Sequence, residues 1–180
     1  MNSSRRASLR IRKLAYSGMF LALALLLPFL TGQIPQLGSA LLPMHLPVLL
    51  CGFICGWPWG LAVGAVAPLL RFALFGMPPL FPTGVSMAFE LAAYGLIIGL
   101  LYAHFPKKLP FLYLDLVLAM IGGRVVWGAV QFFIAGLQSS SFPLSAFWAG
   151  AVVNAIPGIL CQLVLIPPIV AALQKAKLGC

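Results

Sequence analysis

Four ionisable side chains, Arg71, Glu90, Asp115 and Arg124, fall inside or at the edge of long apolar runs. An ionisable group in a membrane span costs at least about 2.5–3.5 kcal/mol on insertion scales, so each calls for a partner or a wet cavity. At about 1.5 Å per residue, Glu90 is expected roughly 10 Å below the outer end of its run. Arg71 falls near the outer end of the run before it and Arg124 in the outer half of the run after it, with Gln131 and Asn154 in the same layer. Five polar groups from four runs thus converge. Two arginines facing one glutamate leave a positive surplus, and a guanidinium presents a fork that matches a carboxylate. The chemistry this implies is capture of a small anion entered from outside. A purely structural reading stands beside it, in which Glu90 neutralises one arginine and the amides cross-link helices.

Helical spacing supports inward orientation. Gly60, Gly64, Ala67 and Arg71 share a small-residue face suited to close packing. Arg124, Trp127 and Gln131 share another, Thr83, Glu90 and Tyr94 a third, and Gly150, Asn154, Gly158 and Gln162 a fourth. Trp127 and Trp148 can stack on a ligand or simply pack. His45, at the mouth of the second run, is a gate or ligand contact, or else a polar cap. The candidate binding set is therefore Arg71, Glu90, Arg124, Trp127, Gln131, Asn154, His45, Thr83 and Tyr94. Asp115 is read as an interfacial partner for Lys107 or Lys108. Cys51, Cys55, Cys161 and Cys180 show no CxxC and no second cluster at metal-ligand spacing, so neither a metal site nor a disulfide is expected. No nucleophile elbow, HExxH, P-loop or GxGxxG is present, so no cofactor is expected and the chain is not read as an enzyme.

The elements that position these residues follow from composition. The 180 residues are 62% hydrophobic and 7% charged, with mean hydropathy +1.08 and formal net charge +9. An average soluble domain carries about 25% charged residues. So few charges exclude a water-soluble globule, and so much apolar surface excludes disorder. The chain is an all-α integral membrane protein, a single domain over 1–180, with room for roughly six spans of about 20 residues. Apolar runs and Pro/Gly punctuation place them at about 14–30, 41–56, 59–75, 84–103, 110–136 and 144–172. The second is short, holds Pro43 and Pro47, and reads as partly re-entrant. Gly76 to Thr83, with three prolines, cannot be helical throughout. Apart from Arg71 and Arg124, the Lys and Arg residues lie in the basic segment 1–13, at Lys107 and Lys108, and at Lys175 and Lys177. That pattern sets both termini in the cytoplasm, leaves the outer loops without Lys or Arg, and argues against nucleic acid as the partner. The first run lacks a cleavage site followed by a polar mature domain, so it is read as a retained span.

These features resemble the substrate-binding S components of energy-coupling factor (ECF) transporters, vitamin importers of the prokaryotic cell membrane. The likeness runs from Arg12-Lys13-Leu14-Ala15 through Lys175, with Leu42-Pro43-Met44-His45-Leu46-Pro47-Val48-Leu49-Leu50-Cys51-Gly52 and the stretch from Gly60 to Arg71 as its centre. The resemblance implies tight binding of a vitamin from outside, in a pocket closed by the first outer loop and the later spans. It implies association with a membrane coupling protein carrying two cytoplasmic ATPases, and toppling in the lipid bilayer to release the vitamin inside. Docking in that family uses two alanines four apart on the first span; Gly18-x-x-x-Ala22 is the match here, with Gly18 as a departure. Arg71 and Arg124 favour a carboxylate-bearing vitamin such as pantothenate, with folate-like compounds and a queuosine precursor as alternatives. A gradient-driven carrier using Glu90 as its coupling acid, and a structural or assembly protein, are the rival classes.

Overall fold

The computed structural model describes residues 3–30, 42–138, 148 and 155–176, with side chains for all of these except 3–6 and 30. Within them the chain is helical: α1 Ser3–Leu30, α2 His45–Cys55, α3 Trp57–Phe75, α4 Val85–His104, α5 Leu109–Leu137 and α6 Ile156–Lys175. Five helices are long and apolar enough to cross a membrane. The exception is α2, whose 11 residues extend about 16 Å, roughly half of a hydrocarbon core. Among the described residues, five of the six expected spans are thus helices of crossing length, and the second run, read as short and partly re-entrant, is a short helix. Its shortness has a local cause. Pro47 is tolerated only because it lies in the first turn, and Gly56, with φ of 90°, ends the helix in a conformation that suits glycine.

Other boundaries agree within a few residues where they can be compared. The exception is α1, which starts at Ser3 rather than near 14. Nothing between Ser3 and Leu27 breaks a helix, and Lys and Arg are good helix formers, so Arg10, Arg12 and Lys13 occupy its early turns. Gly76 caps α3 in the left-handed region, and Phe81 is extended within the irregular turn Leu80–Gly84. The prolines thus interrupt helix there as the sequence requires. The first outer loop (31–41), residues 139–147 and the segment 149–154 fall outside the described residues, and so does most of the expected start of the sixth span.

Apolar side chains turn both ways, as a lipid-facing bundle requires. Phe132 and Phe133 of α5 and Val164 of α6 stand exposed, while Val48, Leu49, Leu91, Ile98, Leu116 and Ile166 are fully buried. The tightest packing joins α4 to the α2–α3 hairpin through glycine. A Cβ on Gly60 would lie 2.7 Å from the Gly95 carbonyl oxygen, one on Gly95 would strike the Gly60 backbone, and one on Gly99 the Trp57 backbone. Close backbone approach through small residues is how membrane helices gain van der Waals contact. Leu91, Gly95 and Gly99 form the clamped face of α4. Clamping that face fixes the direction of Glu90 and Tyr94, one position before each.

Candidate functional site

Glu90 and Tyr94 are one turn apart on α4, and the Tyr94 hydroxyl donates to Glu90 Oε1 over 3.2 Å. The same oxygen lies 3.0 Å from Arg124 Nη1 of α5 and 3.5 Å from His45 Nε2 at the start of α2. Register explains the α4–α5 meeting. Counting from the Lys107–Lys108 loop, Glu90 and Arg124 both lie roughly 21 Å along their antiparallel helices. Gly123 makes room, because a Cβ there would sit 2.6 Å from Tyr94 Cε1. The His45 and Tyr94 rings meet edge to face, with centroids 5.2 Å apart.

The cluster is dry. His45 and Glu90 are each 1% exposed and Tyr94 2%, and the Arg124 side chain is 12% exposed. Burying an ion pair costs several kcal/mol per ion before attraction repays it, so a partly satisfied cluster calls for an explanation. Two donors, from Tyr94 and Arg124, gather on Glu90 Oε1, yet Arg124 Nε and Nη2 and both His45 ring nitrogens have no hydrogen-bond partner. At 3.5 Å, His45 touches Glu90 without bonding it. Nε–H and Nη2–H form one edge of the guanidinium, the geometry that receives two acceptor atoms of a carboxylate. Among the described residues no three His, Cys, Asp or Glu side chains come together. With a cation already on Glu90, the arrangement suits an acceptor-bearing ligand rather than a metal.

Of the candidate residues, His45, Glu90, Tyr94 and Arg124 come together. Thr83, Trp127 and Gln131 are half-buried, and Trp127 has a partner in the fold. Asn154 lies outside the described residues, and Trp148 is exposed. Sequence reasoning left Gln162 out of the binding set, although the spacing from Gly158 had marked its face. It is 2% exposed, and its Nε2 has no partner.

Arg71 does not share Glu90 with Arg124. Its Nη1 donates to the Leu25 carbonyl of α1 over 2.6 Å, and its guanidinium lies 5.1 Å from the Phe29 ring centroid and 5.6 Å from that of Phe75. A carbonyl and two aromatic faces stabilise the charge without an acid. Arg71→Ala is therefore expected to destabilise the protein by about 2–3 kcal/mol, seen as a lower Tm in detergent, with ligand affinity changed less than threefold. A tenfold loss of affinity at unchanged Tm would return Arg71 to the site. The reading of Asp115 is corrected. Its carboxylate is 1% exposed with Oδ1 unpartnered, and Lys107 instead lies over the Tyr102 ring at 5.1 Å.

The fold and cluster together define a polytopic helical membrane protein with a buried, partly satisfied polar site. Residues 12–170 match the family model described as "ECF transporter, substrate-specific component", and the chain belongs to that family. Its members are transporter subunits rather than enzymes. They work with an ECF coupling component and ATPases in the prokaryotic plasma membrane. No curated protein and no solved structure matched.

Proposed function

We propose that this subunit captures a small carboxylate-bearing vitamin, pantothenate or a similar acid, from the outer face of the membrane. The observation that carries this reading is the unpartnered Nε/Nη2 edge of Arg124, buried while Nη1 is held on Glu90. The vitamin's carboxylate docks on that edge. His45 and Tyr94 adjoin the same Glu90 oxygen, and Trp127, Gln131 and Thr83 are the residues proposed to surround the rest of the molecule. The basic residues of α1 and of the Lys107–Lys108 loop face the cytoplasm, which puts the cluster toward the exterior. The test is thermal stabilisation of the purified chain in detergent across a vitamin panel, because a ligand that binds only the folded state raises Tm by mass action. Stabilisation by a carboxylate vitamin supports the reading, and stabilisation by neutral vitamins alone sinks it.

Delivery inward depends on docking to the coupling protein and its two ATPases. Gly18 and Ala22 are exposed on α1, together with Ile11, Leu14, Met19, Leu23 and Leu26, and a Cβ on Gly18 would meet nothing within 4 Å. This open, small-centred stripe is the docking face. Gly18→Leu or Ala22→Leu is expected to cut co-purification with the coupling protein at least tenfold while vitamin affinity stays unchanged. Intact co-purification in both variants would move the docking face elsewhere. A gradient-driven carrier with Glu90 as the coupling acid gains no support, since Glu90 is already held by Arg124 and Tyr94.

A further inference from the structure

We infer that the site takes up its acidic ligand together with one proton, and that His45 is the group that receives it. The inference rests on the carboxylate reading above and adds a charge balance to it. Glu90 and Arg124 cancel each other's charge, with the His45 imidazole beside them. A second carboxylate on the free edge of Arg124 leaves one uncompensated negative charge in a space that is almost fully closed. An unpaired buried charge is costly, and the site needs one more cation to accept the ligand.

His45 is placed to become that cation. Its Nε2 lies 3.5 Å from Glu90 Oε1, close enough for an ion pair, and neither ring nitrogen is committed to a hydrogen bond. Imidazole is the ordinary side chain that changes charge between about pH 5 and 8. The groups on each element packed against α2 leave no better acceptor. From α4 come Glu90, whose Oε1 already takes two donors, and Tyr94, which is one of them. Arg71 of α3 is turned to Leu25. In α1, Arg10, Arg12, Lys13 and Tyr16 lie in the half away from Leu25, and α6 carries Cys161 and the terminal-turn Lys175. On α2 itself, Cys51 donates to Ser17 of α1 over 3.7 Å, and Cys55 lies one turn further from His45. Beyond Glu90 stands Arg124 of α5. The step is simple: one proton leaves bulk water and binds an imidazole nitrogen as the carboxylate enters.

The experiment is isothermal titration of the purified full chain with pantothenate, and with folate and biotin, at pH 7 in buffers of different ionisation heat. The dependence of the observed heat on buffer counts the protons taken up. We expect roughly one per acid bound, and an affinity that falls about tenfold per pH unit above neutrality, as linkage requires. In His45→Gln the acid binds more weakly, with no buffer dependence and a flat pH profile. A binding heat in the native protein that is independent of buffer overturns the inference and leaves the carboxylate reading standing. Full proton uptake in His45→Gln also overturns it, by assigning the proton to another group such as Glu90. If none of the three acids binds, the carboxylate reading fails and the proton with it.

Discussion

Replacing Arg124 by alanine is expected to weaken vitamin binding at least about a hundredfold. Two charge-assisted hydrogen bonds to a buried carboxylate contribute about 3 kcal/mol together, and 1.4 kcal/mol is a factor of ten. The same substitution strands Glu90, 1% exposed, without its cation, so Tm should fall too; removing one partner of a buried pair costs about 3–5 kcal/mol. Arg124→Lys separates the two effects. A lysine keeps a charge for Glu90 but has no fork, so most of the stability should return while affinity stays at least tenfold down. Ligand titration and thermal unfolding of both variants check this. Affinity restored by lysine would mean that charge alone, not the edge geometry, receives the ligand.

The largest effect on folding is expected at Gly95. Its Cα faces the Gly60 backbone so closely that an added Cβ would overlap it, and backbone cannot step aside as a side chain can. Overpacking a well-packed site costs about 1–3 kcal/mol, occasionally more, and here both helices must separate. Gly95→Val should therefore fail to give a monodisperse protein in detergent. Gly18→Val, the same change on an open face of α1, should elute and unfold like the native chain. The contrast isolates packing from helix propensity. A folded, ligand-binding Gly95→Val protein would show that the α3–α4 contact is not what orients Glu90 and Tyr94.

Much of this architecture was legible before any coordinates. Depth along a helix follows from a fixed rise per residue, so Glu90 and Arg124 were assigned to one layer, and the two side chains meet. The shortness of α2 followed from Pro43 and Pro47, and the close-packing face of α3 from Gly60 and Gly64. Direction was less legible for long side chains. Spacing orients the Cα–Cβ bond, but the Arg71 guanidinium extends well beyond it and reaches the Leu25 carbonyl of the neighbouring helix. Asp115 was misread for a related reason, since closeness in sequence to Lys107 says nothing about the helix face on which it is buried. The encounter of His45 with Glu90 joins helices far apart in the chain, and no local pattern encodes it. Membership of the ECF family came from whole-chain texture, and the match over residues 12–170 bears it out.

The proposal that Arg124 receives the acid group of a vitamin is tested most directly by one comparison of thermal stability. The purified native chain and Arg124→Gln are each heated with a panel of acidic and neutral vitamins. At a hundredfold excess over Kd a ligand stabilises the folded state by about 2.7 kcal/mol, which is a readable shift in Tm. The account predicts that a carboxylate vitamin raises the Tm of the native chain and leaves that of Arg124→Gln unchanged. Equal stabilisation of both proteins, or stabilisation by neutral vitamins alone, would contradict it.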